Sequence, residues 1–194
     1  LNIELYNCVD LMELNLSGTR ISYLDLNPNR NLTLINLSRT DIYQLDLSSC
    51  DKLERLYIDA TQISGLDLMW QRDTLKELSC ADTQITYLDL GWCGKLTSLN
   101  VRNCPLACIN LEDTPIDVSG FQSADNIYKY NVNNETSIAV RNILGLNASK
   151  ITHVTGADFD ATTETFTNIT GNKINYLYDC GNGVTATFSI QIGN

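Results

Sequence analysis

The chain is poor in the residues that most enzymes and nucleic-acid binders depend on. It has one histidine and 13 Lys+Arg against 23 Asp+Glu, a formal net charge of −10. A surface this acidic repels phosphate backbones and anionic headgroups, which excludes nucleic acid and an anionic membrane surface as partners. No apolar run approaches the roughly 18 residues needed to cross a bilayer, so membrane insertion is not expected, and no signal peptide opens the chain. The single His153 has no Ser or Cys nearby with a supporting carboxylate, and there is no phosphate-binding glycine loop. Seven cysteines are present, yet without a CxxC pair or a Cys/His cluster at zinc spacing. No metal, no cofactor and no catalytic group is expected, so the chain does not read as an enzyme.

What the sequence has in abundance is leucine at a fixed interval. The unit LxxLxLxxTxIxxLDLxxNxx starts at Leu11, Leu32, Leu53, Leu75 and Leu96, in steps of 21, 21, 22 and 21 residues. Each unit holds two half-modules, for example Leu11-Leu14-Leu16 and Ile21-Leu24-Leu26. Each half alternates apolar and polar residues over three positions, a strand's period in a run too short for an amphipathic helix. One turn of chain cannot bury a single inward row of leucines, whereas stacked turns bury a continuous core between them. Equivalent residues then form columns about 4.8 Å apart, the spacing of paired strands. Leu1 falls in the middle of a unit, so the sequence reads as an excised or processed segment.

These residues resemble the leucine-rich repeat, and the nested IxxLDLxx(N/C) half is similar to the short bacterial class of 21-residue repeats, of the internalin-like surface type. The resemblance covers about residues 1–120. It implies a mainly β protein: a right-handed leucine-rich repeat solenoid with parallel β-sheets and a role in protein binding on a bacterial cell surface or in a secreted protein. The usual asparagine position departs from the pattern, holding Thr19, Thr40, Thr61, Thr83 and then Cys104. Its counterpart in the other half-module holds Cys8, Asn29, Cys50, Gln71, Cys93 and Thr114. Both sets are expected to bond buried backbone groups at the bends, cysteine only weakly.

Reading down the columns yields the candidate functional residues. Asp25, Asp46, Asp67 and Asp89 form a ladder whose like charges, about 5 Å apart, repel by about 0.8 kcal/mol per neighbouring pair even in water. Backbone N–H groups at the following bend are the expected offset. A Ca²⁺ row is the alternative, though one carboxylate per coil supplies few ligands. Both tryptophans, Trp70 and Trp92, fall in one column on adjacent coils, with Met69 beside the first and the one-residue insertion of the longer repeat, Gln71–Thr74, just after it. Exposed neighbouring aromatics suit a protein hot spot or a sugar-stacking platform, whereas packing at the coil edge is the structural alternative. Tyr57 on the first strand and Tyr87 beside the second complete the candidate ligand-binding set. Among the cysteines, Cys8, Cys50 and Cys93 recur at two-coil intervals, too far apart to bridge, and Cys104 with Cys108 is the one plausible local pair.

After about Gly120 the leucine period stops. Short strands are expected over 127–132, 151–154, 164–167, 173–179 and 184–192, with Asp179–Gly183 as a hairpin turn and 138–146 as a strand followed by a turn. Residues 121–194 thus read as a small all-β domain, sandwich-like and similar to the immunoglobulin-like modules of bacterial surface repeat proteins. Such a module would cover the open end of the solenoid. Asp158, Asp160 and Glu164 form a loose acidic cluster in this segment. The preferred function is a protein-interaction module with an unidentified protein partner. A glycan ligand on the Trp70/Trp92 rim, or a structural spacer, are the alternatives.

Overall fold

A computed structural model describes residues 3–116, 127–131 and 136–193. In each first half-module the three residues centred on the first apolar residue of the LxL core form a strand: Glu13–Asn15 (β1), Leu34–Asn36 (β2), Arg55–Tyr57 (β3), Glu77–Ser79 (β4) and, after Tyr87–Asp89 (β5), Ser98–Asn100 (β6). β1, β2, β3, β4 and β6 form one parallel sheet, in which Leu14, Ile35, Leu56, Leu78 and Leu99 face one another in register. The register follows the repeat step residue for residue because a slip by one would turn every leucine outward. Among the described residues there is no α-helix, and no helix is long and apolar enough to cross a membrane.

Two devices turn the coil. Thr19, Thr40, Thr61, Thr83 and Thr114 each donate the side-chain hydroxyl to the carbonyl three residues earlier, at 2.7–2.8 Å. Asn29 and Gln71 reach down a coil: Asn29 Nδ2 donates to the Leu5 and Cys8 carbonyls, and Gln71 Nε2 to those of Leu47 and Cys50. A second set of positions adopts left-handed backbone: Gly18, Arg39, Ala60 and Asp82 after the first half-module, and Trp92 and Asp113 after the second. The conformation has a purpose, since it aims each N–H up the stack. Gly18 donates to Ser38 O, Arg39 to Asp59 O, Ala60 to Ala81 O, Asp82 to Arg102 O and Trp92 to Glu112 O, at 2.7–2.8 Å.

The second half-modules pair as strands only at the end, where β5 runs parallel to Cys108–Asn110 (β7). Earlier copies form no strand. The paired copies are those over which a further strand continues the stack, with Leu111 N–H donating to Cys180 O at 2.7 Å. All seven cysteines are free. Cys104 and Cys108 do not bridge: Cys104 Sγ instead donates to Cys80 O at 3.0 Å and meets Thr83 Oγ1 at 3.3 Å, so the thiol fills the role of the bend amide.

The carboxy-terminal strands lie where the turn signals place them: Ile127–Asn131 (β8), the short Ile138–Ala139 (β9) at the start of the 138–146 segment, Ile151–Thr155 (β10), Thr165–Thr167 (β12), Lys173–Gly181 (β13) and Val184–Gly193 (β14), with Asp158–Asp160 (β11) added. They form a four-stranded sheet, β10-β13-β14-β8, with the β14/β8 pair parallel, and a three-stranded antiparallel sheet, β11-β12-β9. Phe166 on the smaller sheet meets Tyr176 on the larger at 6.0 Å between centroids, and Tyr176 stacks on Phe188 at 6.2 Å.

The solenoid and these sheets share one apolar core. β13 lies over the last coil, where the buried Tyr176 hydroxyl donates to Ala107 O at 2.5 Å. The β13–β14 turn then supplies what the next repeat would have supplied. Asn182 Nδ2 donates to the carbonyls of Leu111 (2.6 Å) and Thr114 (2.9 Å), while its Oδ1 accepts the Asp113 N–H (2.9 Å). The two donated bonds are those of Asn29 and Gln71, made by a residue outside the repeats; the accepted one is an addition, since the Asn29 and Gln71 amide oxygens are buried without a partner among the described residues.

Candidate functional site

The aspartate ladder proves to be bend chemistry. The Oδ1 atoms of Asp25, Asp46, Asp67 and Asp89 accept the N–H two residues on, at 2.9–3.0 Å, and Asn110 does the same for Glu112 at 3.2 Å. The Ser48 N–H holds the fully solvated Asp46 carboxyl below its ordinary range. In the acidic cluster of 158–164, Asp160 is committed to Thr162 and Thr163 and Asp158 to Asn168. Among the described residues no three His, Cys, Asp or Glu converge on a common point.

The five candidate ligand-binding residues fall in three places. Met69, Trp70 and Trp92 share one rim. Met69 and Trp70 sit in a 3-10 turn, Met69–Gln71, where the buried Gln71 anchors the turn to the coil below and leaves the two preceding side chains outside. The three are 52, 56 and 54% exposed; Tyr6, Met12, Tyr23, Tyr43 and Leu144 are open to a similar degree elsewhere, but the rim alone brings both tryptophans together. Trp92 stands at φ 63°, a backbone conformation costing a side-chain-bearing residue about 1–2 kcal/mol. The fold requires that conformation for the Trp92 N–H to reach Glu112 O; it does not require an indole there.

Tyr57 is elsewhere on the coil, on the strand face of β3, and donates its hydroxyl to Glu77; that bond raises the phenol pKa. Arg55 pairs with Glu13 at 3.6 Å and Lys76 with Glu54 at 2.8 Å, so much of this face is satisfied internally. Tyr87 lies beneath the carboxy-terminal sheets. A side chain at Gly145 would come within 2.2 Å of its ring, and burial raises its pKa.

Arg72, from the insertion, is the rim residue that sequence reasoning passed over. Its guanidinium lies over the Trp92 indole, 5.1 Å from the ring centroid, and 3.8 Å from Asp89 Oδ2. The signal was a basic residue two positions after Trp70 in the one 22-residue repeat. Recognising it required knowing that this position on one coil faces the tryptophan position on the next.

Against known proteins, the sequence matches no family model and no curated protein. Among solved structures it is similar to two from Listeria monocytogenes. One is the functional domain of InlJ, described as including a cysteine ladder: 18% identity, TM-score 0.38, over 99% of this chain and 60% of that one. The other is InlP: 14% identity, TM-score 0.43, over 86% of this chain and 55% of that one. The chain therefore spans less than two thirds of either of these two structures.

Proposed function

We propose that this chain is a non-enzymatic protein-interaction module of a bacterial surface or secreted protein, with the rim of Met69, Trp70 and Trp92 as its recognition surface. In this reading residues 1–120 present the rim, and residues 121–194, a small domain of the immunoglobulin-like kind, close the stack. One observation carries the proposal: both tryptophans of the chain are more than half exposed on adjacent coils, one of them at a left-handed position that glycine would fill more cheaply. Large aromatics flanked by an arginine are the residues that most often dominate protein interfaces.

The test is binding to an array of extracellular proteins and glycans, comparing the chain with Trp70→Ala/Trp92→Ala. Protein hits that disappear in the double variant while its unfolding midpoint is retained support the reading. Hits confined to glycans would move the rim to sugar recognition, and hits that survive would move recognition off the rim.

A further inference from the structure

Repeat symmetry lets one coil be read against the next. On the upper coil the indole of Trp92, the carboxylate of Asp89 and the guanidinium of Arg72 form a closed set, with Arg72 contributed by the coil below. One coil down, the tryptophan in the same column is Trp70, carried by a 3-10 turn rather than at left-handed φ, and the carboxylate in the same column is Asp67, whose Oδ1 accepts Met69 N–H as Asp89 Oδ1 accepts Gly91 N–H. The position equivalent to Arg72, two residues after the tryptophan column, is Asp51. Where the upper set has a cation, the lower set has a second carboxylate.

The neighbouring cation does not fill the gap. Lys52 Nζ is bound to Asn31 Oδ1 at 2.7 Å, toward the coil below, and among the described residues no basic side chain pairs with Asp67 or Asp51. Repeat register thus sets the half-exposed Trp70 in line with two carboxylate positions, Asp67 and Asp51, on a chain of net charge −10. An aromatic face attracts a cation through its quadrupole, and a carboxylate beside it adds a charge-assisted partner.

We infer that Trp70, Asp67 and Asp51 form a receptor for a guanidinium or ammonium side chain of the protein partner, an intermolecular copy of the Arg72–Trp92–Asp89 set. The inference rests on the proposed rim and adds its chemistry: the partner brings a basic segment, an arginine or lysine seated on Trp70 and its apolar neighbours against Met69. Arg72 keeps Trp92 from taking a second cation on the same face, so the two tryptophans divide the work between charge recognition and apolar contact.

The chain has only two indole N–H groups, so each can be followed separately by NMR once Trp70→Phe and Trp92→Phe assign them. The probes are three short peptides of identical frame carrying arginine, citrulline (the same shape without charge) or glutamate, titrated at low salt. The expected result is a saturable shift of the Trp70 signal with the arginine peptide, weakened by salt, and none with the other two. Asp67→Asn should weaken it by up to about fivefold, and Trp70→Leu should weaken binding about two- to fivefold. Asp51→Arg should recreate the upper set in cis and abolish the shift without disturbing a site of packing. If the citrulline peptide moves Trp70 equally, the cation receptor is wrong while the rim as an apolar surface stands. If the arginine peptide fails to bind, or binds without moving the Trp70 signal, the receptor is overturned, while the rim still stands or falls by the array comparison.

Discussion

Asn182 gives the sharpest test of how the solenoid ends. Its side chain makes three bonds to the last coil: two donated to Leu111 O and Thr114 O, and one accepted from Asp113 N–H. A buried polar group left without its partner costs about 1–3 kcal/mol. Asn182 is itself exposed and its bonds to the last coil are at most half-buried, so water can reach what it leaves behind, and the low end applies to each. Its φ of 53° means that alanine would add backbone strain, whereas glycine removes the side chain alone. Asn182→Gly is therefore expected to cost about 2–3 kcal/mol and Asn182→Ala about 1 kcal/mol more. With a urea slope of about 2 kcal/mol/M, the glycine variant should lower the midpoint by about 1–1.5 M. Exchange of the Leu111 amide, which donates to Cys180 O, should accelerate in step. A glycine variant within 0.5 kcal/mol of the parent, about the error of such comparisons, would refute the view that this turn stands in for a missing repeat.

Other consequences follow from the same bonds. Gln71→Met keeps roughly the volume but strands the Leu47 and Cys50 carbonyls in a fully buried site, and should cost about 2–4 kcal/mol in the same urea assay. Trp92→Gly relieves about 1–2 kcal/mol of left-handed strain while losing the Arg72 contact, worth about 0.5–1 kcal/mol, so it should lie within about 1 kcal/mol of the parent and be more stable than Trp92→Ala. Of seven thiols, the exposed Cys8 alone should react quickly with a disulfide reagent at pH 8. Burial pushes Cys50 and Cys93 up to about 11 and Cys108 and Cys180 up to about 12. A raised thiol pKa favours the protonated folded state, so this stability is fully present below about 9 and is lost as pH rises through 11 to 12. Unfolding midpoints should therefore fall between pH 9 and 11.

The stack was legible because each repeat states its own register: an LxL at a step of 21 or 22 leaves one way to bury leucine, and Leu14, Ile35, Leu56, Leu78 and Leu99 align accordingly. Bends were legible for the same reason, since Thr, Asn and Gln recur where carbonyls need donors. Asn182 was not, because an asparagine in Asp-Cys-Gly-Asn-Gly is already explained by the hairpin turn. Its second role depends on β13 landing over β7, a contact between residues some 70 apart that no local pattern encodes. The restriction of second-ladder pairing to β5 and β7 escaped for the same reason. At the rim, the tryptophan column could be read directly, but Tyr57 and Tyr87 were grouped with it on chemistry alone. Their neighbours, Glu77 in one case and Gly145 in the other, separate them.

Where a partner touches the molecule decides between the tryptophan rim and the rest of the surface. Hydroxyl-radical footprinting of the chain, free and with a protein hit from the array bound, reads that surface through its own exposed side chains. Protection of Met69, Trp70 and Trp92, with Tyr23 and Tyr43 on the neighbouring arc left as reactive as in the free chain, is the predicted result. Protection of Tyr23 and Tyr43 with the tryptophans unchanged would contradict it.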